Sequence, residues 1–243
     1  KPLLSVRNLT KTYSTSKGIF GKSEKLTAVA DLSFDLYPGE TLGLVGASGC
    51  GKSTLGRLIV YLDKPTSGEI EYNGESLESL NSKQIQALRT DVQFIFQDPY
   101  AALHPQKRIG KAILEPLQAH KLLPQTEQKK RVIFLLKQVG LEPFFYERYP
   151  HELSGGQRQR VVIARALAVE PKILICDESV AALDISVQAQ VLNLLNDLQE
   201  KFNLSYLFIS HDLSVVQFIS DKIMVMDHGM LVEYKEADEL YRN

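Results

Sequence analysis

Short apolar runs alternate along the chain with longer stretches whose apolar positions recur at helical spacing. Strands buried on both faces read as continuous apolar runs, so this rhythm predicts an α/β protein with a largely parallel sheet. The clearest strands are predicted over Thr41 to Val45, Val92 to Phe96, Ile173 to Cys176, Leu204 to Ile209 and Lys222 to Met226. The N-terminal part differs. Leu3 to Arg7 and Ala28 to Leu36 alternate with period two, as half-buried antiparallel strands do, and Gly68 to Gly74 is a short strand closing on an Asn73-Gly74 turn. A small β layer is expected beside the main sheet.

From Gln97 to about Arg165 the strand signal disappears, and Ile109 to His120 and Thr126 to Val139 carry helix-spaced apolar residues. Pro99, Pro105, Pro116, Pro124, Pro143 and Pro150 punctuate this stretch, predicting short helices separated by loops. The pattern is that of a helical insertion inside an α/β core. Further on, Val187, Val191, Leu194, Leu195 and Leu198 form one apolar helix face, with Ser186 as the expected cap. There is no internal repeat and no low-complexity tract.

Composition narrows the function classes. The 243 residues are 44% hydrophobic and 23% charged, the proportions of an ordinary globular chain long enough to bury a sizeable core. The 28 basic and 29 acidic side chains give a net charge of −1, which argues against a nucleic-acid binder working through a broad basic surface. Two cysteines, Cys50 and Cys176, make no disulfide framework, and a reducing, cytoplasmic setting is expected. No run approaches the roughly 20 apolar residues of a membrane span; Val132 to Leu136 is too short and Val161 to Val169 is interrupted by Arg165. Lys1-Pro2-Leu3-Leu4 does not open a signal peptide and reads as a cut edge. Glu236 to Asn243 begins a helical pattern that stops, so a truncated C-terminus is expected.

The sharpest chemical feature is Gly46-Ala47-Ser48-Gly49-Cys50-Gly51-Lys52-Ser53-Thr54, directly after a predicted strand. Glycines let the backbone curl so that several N–H groups face one point, and the following helix adds its positive end; that geometry binds phosphate. Lys52 is placed to reach the β and γ phosphates of a nucleotide, and the Ser53 hydroxyl to ligate Mg²⁺. Cys50, at a helix N-terminus that lowers thiol pKa values, reads as a small residue at a variable position, the alternative being a reactive thiol whose alkylation blocks nucleotide binding. The second feature is Ile173 to Glu178, an apolar strand that delivers two carboxylates at its end. Ligands of open α/β sheets bind beyond such ends, so Asp177 is expected to steady a Mg²⁺ shell and Glu178 to orient a water for attack. Cys176 reads as a core hydrophobe.

The third feature, Leu153-Ser154-Gly155-Gly156-Gln157 before a helix, resembles the signature of the ABC (ATP-binding cassette) ATPases. The resemblance runs over about residues 3 to 235, with the lesser motifs in family order. It implies a P-loop cassette with a mainly parallel RecA-like core sheet, an antiparallel β subdomain and an inserted helical subdomain. As one domain over residues 1–243, the expected core is 1–97 with 166–243, and the helical subdomain with the signature is about 98–165. Tyr13 matches the aromatic that stacks on adenine, Gln97 the glutamine that touches Mg²⁺ and water, Asp184 the loop between cassettes, and His211 the histidine at the γ phosphate. The signature is implied to close in trans over ATP held by a partner cassette.

Phe96 to Pro105, Glu115 to Leu117 and Ser186 to Asn193 are similar to the ATPases of oligopeptide and dipeptide importers, a branch that includes nickel and metal-chelate importers. The stretch between Tyr13 and Ala28, with Lys17-Gly18-Ile19-Phe20, resembles the second of the two ATPases in these systems. That implies a heterodimer with the first ATPase, a homodimer being the alternative, two transmembrane permease subunits, an extracytoplasmic binding protein, and a place on the cytoplasmic face of the membrane. Ser179 stands where the branch usually has Pro or Ala, and His104 where it commonly has Asn; neither position carries chemistry. The branch usually continues into a C-terminal extension that these residues lack. A nucleic-acid-directed ABC ATPase is the competing class, but it carries a long coiled coil or zinc module that the Pro-broken insertion does not supply. A phosphotransferase leaves the signature unexplained. The cargo is not written in the cassette.

Overall fold

The period-two alternation of the N-terminal residues produces two long antiparallel strands. A computed structural model describes residues 1–16 and 23–239. In chain order its elements are β1 (Leu4–Ser16), β2 (Ser23–Leu36), β3 (Thr41–Gly46), α1 (Lys52–Ile59), β4 (Ser67–Tyr72), β5 (Glu75–Ser76), α2 (Ser82–Asp91), β6 (Val92–Ile95), α3 (Pro99–Ala102), α4 (Ile109–Ala119), α5 (Gln125–Gln138), α6 (Gly155–Leu167), β7 (Ile173–Asp177), α7 (Ile185–Phe202), β8 (Ser205–Ser210), α8 (Leu213–Ile219), β9 (Lys222–Asp227) and β10 (Met230–Glu236). The importer-like stretch at Lys17 to Phe20 lies outside the described residues. Contacts divide the chain into two units, Lys1–Leu88 with Ser205–Asn243, and Arg89–Leu204.

The first unit holds an antiparallel layer in the order β2-β1-β4-β5. The β4 to β5 connection is the expected Asn73-Gly74 turn, both residues having positive φ (53° and 84°), as a type I′ hairpin turn requires. The same unit carries the β10-β9-β3-β8 part of the main sheet. Here β3 pairs in parallel with both β8 and β9, and β10 closes the edge antiparallel to β9. Leu42 and Leu44 of β3 and Leu207, Phe208 and Ile209 of β8 are 0% exposed, which is why these strands read as unbroken apolar runs.

The second unit combines the parallel pair β6 and β7 with helices α3 to α7. Helix α4 buries Ile109, Ala112, Ile113 and Leu117 against α5 and α6, and α5 contributes Val132, Leu135 and Leu136. These are the helix-spaced positions of the sequence. Two expectations need correction. Pro116 does not separate helices but sits inside α4, which runs on to Ala119 with its apolar face intact. Ser186 is not the cap of α7: the helix starts at Ile185, and Asp184 is its N-cap residue by backbone geometry (φ −62°, ψ 151°), without a side-chain cap bond. At the chain's end, β10 extends to Glu236 and a 3₁₀ turn follows over Ala237–Glu239, where a helical pattern is expected; the rest of that pattern lies outside the described residues. No helix among the described residues is long and apolar enough to cross a membrane.

Candidate functional site

In the first unit, β3 ends at Gly46 and α1 begins at Lys52, so the glycine-rich loop leads from strand to helix as its sequence predicts. Gly51 has φ 108°, and a side-chain carbon there would collide with the Ala28 carbonyl oxygen and press on Met226. Only glycine satisfies both the conformation and the space. Ala47, Ser48 and Gly49 are exposed, Ser53 and Thr54 half-buried, and Cys50 7% exposed. Lys52 is 4% exposed; its ammonium donates to the carbonyls of Gly46 (2.8 Å) and Ala47 (2.9 Å). The charge is thus curled back on its own loop, held by carbonyl dipoles and, among the described residues, by no carboxylate.

Tyr13, on β1, is anchored beside this loop. Its hydroxyl donates to Asp63 Oδ2 at 2.6 Å and also engages the side chain of Thr54, on α1. Lys11 completes the group, its ammonium 2.6 Å from Asp63 Oδ1 and 4.9 Å from the Tyr13 ring centroid. The bond from Lys11, then that from Tyr13, holds the Asp63 carboxyl below the usual carboxylate range, while burial and Asp63 push the Tyr13 phenol up. His211 follows β8 directly, is exposed, and precedes Asp212, which caps α8 by accepting from the Ser214 and Val215 amides.

In the second unit, β7 carries Asp177 as its last residue, 8% exposed. Glu178 follows in a left-handed backbone conformation, φ 47°, an uncommon state for a residue with a side chain. Gln97, two residues beyond β6, donates from Nε2 to Glu178 Oε2 at 2.9 Å. Cys176, 0% exposed on the same strand, has its thiol pushed up to about 12 by burial, and so behaves as a core side chain.

The Leu153 to Gln157 segment opens α6. Ser154 and Gln157 form a reciprocal capping box: Ser154 Oγ accepts from the Gln157 amide (3.3 Å), and Gln157 Oε1 accepts from the Ser154 amide (2.9 Å). This leaves the amides of Gly155 and Gly156 as first-turn donors at the positive end of a 13-residue helix. Leu153 is buried at 4% exposure. Gly156 packs so closely on Val187 of α7 that a methyl group there would collide with it. Asp184, at the start of α7, is exposed beside Ile185, itself 86% exposed.

Sequence reasoning missed two partners: Asp63, which fixes Tyr13, and Tyr100, which lies on the guanidinium of Arg158. The members of these pairs are 50 and 58 residues apart, and no local pattern joins them. The groups expected at Mg²⁺ are a hydroxyl (Ser53), an amide oxygen (Gln97) and, through water, a carboxylate (Asp177), hard oxygen groups that suit this cation. Among the described residues no cluster of three or more His, Cys, Asp or Glu is built to hold a metal by itself. Ser53 belongs to the first unit, Gln97 and Asp177 to the second.

Residues 29–181 match the ABC transporter family model. The glutathione import ATP-binding protein GsiA of Shigella dysenteriae serotype 1 is 51% identical over 244 residues, covering 100% of this chain and 39% of that protein. The chain thus spans about two fifths of the length of the curated relatives it matches. Among solved structures, the dimeric post-hydrolysis state of the ATP-binding cassette MJ0796 bound to ADP and Pi superposes with a TM-score of 0.84 at 31% identity, over 96% of this chain and 98% of that one. CbiO1 from Clostridium perfringens, part of the ABC transporter complex cbiONQ, gives 0.85 at 29% identity, over 100% and 91%. A family match over most of the chain, together with this shared architecture, means that the chain belongs to the ABC transporter family and has the α/β fold of its ATP-binding cassettes.

Proposed function

We propose that this chain is an ATP-hydrolysing motor of an importer, and that it couples binding and hydrolysis of MgATP to the uptake of peptides or related small solutes. The P-loop carries the reading: Gly51 is forced to be glycine, and Lys52 is buried with no carboxylate partner among the described residues, poised to exchange the Gly46 and Ala47 carbonyls for phosphate oxygens. Tyr13, steadied by Asp63, offers its ring to adenine. Ser53 and Gln97, with Asp177 through water, would hold Mg²⁺, which when bound would neutralise charge on the transferring phosphoryl group. Glu178, oriented by Gln97, takes a proton from the attacking water, and His211 holds that water's target, the γ phosphate.

Hydrolysis requires two cassettes. Ser154 and the first-turn amides of Gly155 and Gly156 serve the nucleotide on a partner, and Asp184 lies in the contact between the two. A heterodimer with a second ATPase subunit is favoured, as are two transmembrane permeases docking near Gln97 to His104 and an extracytoplasmic binding protein that delivers cargo. The assembly sits at the cytoplasmic face of the membrane. Glutathione, which GsiA's name gives as its cargo, makes small peptides the first class to test, ahead of metal chelates or opines.

The test recovers the tagged full-length protein from its native membranes, identifies what accompanies it, and measures phosphate release from MgATP. Copurifying permeases together with MgATP hydrolysis are expected. Nucleic acid in place of a membrane protein would overturn the transport reading, and phosphate moved to an acceptor other than water would overturn the hydrolytic one.

A further inference from the structure

We infer that Arg158, clasped by Tyr100, is a positioning residue that ties the start of the signature helix to the segment carrying Gln97. Arg158 is 7% exposed and, among the described residues, forms no ion pair. Its guanidinium donates to the carbonyls of Pro150 (3.1 Å) and Leu153 (2.7 Å) and to the Tyr100 hydroxyl, and lies 3.8 Å from the Tyr100 ring centroid; its Nε is unpartnered. A buried cation without a carboxylate is unfavourable, and one turn inside a helix N-terminus it also opposes the helix dipole. The contacts show what that placement achieves. Pro150 and Leu153 lie just ahead of the Ser154 cap, so Arg158 holds the chain as it enters the signature. Only a planar fork that donates and stacks at once makes all these contacts.

Tyr100 lies on α3, three residues after Gln97, with its amide fixed by Asp98 Oδ1 at 2.8 Å. Two turns further along α6, Arg165 donates to the Ala102 carbonyl at 2.7 Å, so α6 grips α3 at a second point. The residue that orients Glu178 and the amides that meet a partner's nucleotide are thereby mounted on one body. Tyr100 is 61% exposed, so its removal leaves the apolar core untouched. The catalytic consequence rests on the proposed ATPase reading; the positioning does not.

The experiment compares the native full-length protein with Tyr100→Phe, Tyr100→Ala and Arg158→Lys by site-resolved amide hydrogen exchange and steady-state ATP hydrolysis. In Tyr100→Ala the amides of Leu153, Ser154, Gln157 and Arg158 are expected to exchange at least about tenfold faster, with kcat lowered about tenfold and KM for ATP within about twofold, the scale of one charge-assisted hydrogen bond. Tyr100→Phe, which keeps the stack and loses the hydroxyl, falls between. Arg158→Lys, which keeps the charge and loses the fork, resembles Tyr100→Ala. Unchanged exchange at those four amides in Tyr100→Ala overturns the clasp, as does a uniform acceleration across the chain, which would mark a merely structural role. If the native protein releases no phosphate, the ATPase reading fails and the exchange arm alone decides the positioning.

Discussion

Gln97 donates to Glu178 across 2.9 Å, joining the chain beyond β6 to the chain beyond β7. Glu178 takes its place in a left-handed backbone, φ 47°, where an L side chain costs about 1 kcal/mol or more. Exposed Asp31 and Glu170 share this backbone conformation, so it is the bond from Gln97, and not the strain, that sets Glu178 apart. Glu178→Gln preserves shape and the left-handed backbone but cannot accept a proton. Turnover is expected to fall by about 10² to 10⁴ with ATP affinity unchanged. Steady-state phosphate release and equilibrium nucleotide titration check this, and equal turnover would remove Glu178 from its role.

The glycines of the P-loop separate conformational strain from collision. Gly49 (φ 80°) has open space where a side chain would go, whereas at Gly51 (φ 108°) an added carbon runs into the Ala28 carbonyl. Gly49→Ala is therefore expected to cost only about 1 kcal/mol of stability and to keep some nucleotide binding. Gly51→Ala is expected to displace the start of α1 and abolish binding. Thermal unfolding and nucleotide titration of both variants test the difference; equal losses would contradict it.

The strands of the main sheet were legible to within about a residue because burial on both faces writes itself as a contiguous apolar run. Elements without a buried face were not. Helix α2 buries only Leu88, and β10 is an edge strand that alternates between exposed and half-buried positions, with Met230 and Val232 more than half exposed, so neither has a buried face to mark with apolar residues. The cap of α7 was misplaced because capping residue types stand at both 184 and 186, and only the backbone dihedrals choose between them. The loop at Gly46 to Thr54, the helix start at Leu153 to Gln157 and the strand end at Asp177-Glu178 were readable because each is written in consecutive residues. Asp63 and Arg158 act through residues distant in sequence, Tyr13 and Tyr100, which only folding brings near.

The Lys11, Tyr13 and Asp63 group gives a pH dependence of defined sign. The Asp63 carboxyl is held below its ordinary value, first by the hydrogen bond from Lys11 and then by that from Tyr13. A depressed native pKa contributes stability above the unfolded value, about 3.9 for Asp, and loses it as pH falls through the native one. Asp63→Asn should therefore be less stable than the native protein by a constant margin from about pH 5 to 8, and the margin should close as pH falls below about 4. Thermal unfolding across that range measures it. A margin that widens in acid would reverse the assignment.

The close approach of Gly156 to Val187 makes the signature helix sensitive to a single methyl group. Gly156 occupies the second position of α6, where alanine is the better helix former by about 1 kcal/mol, so propensity alone would make Gly156→Ala stabilising. The collision with Val187 opposes this: either the valine leaves its preferred rotamer or α6 moves from α7, and overpacking of that kind costs about 1 to 3 kcal/mol. Gly156→Ala is expected to be destabilising. Val187→Ala alone should cost little, since Val187 is only half-buried, and in the double variant the space it vacates accepts the new methyl. The stability of the double variant should then exceed the sum of the single effects by about 1 kcal/mol or more, as a double-mutant cycle in urea unfolding would resolve. Additive effects would show that glycine at this position is not required for packing against Val187.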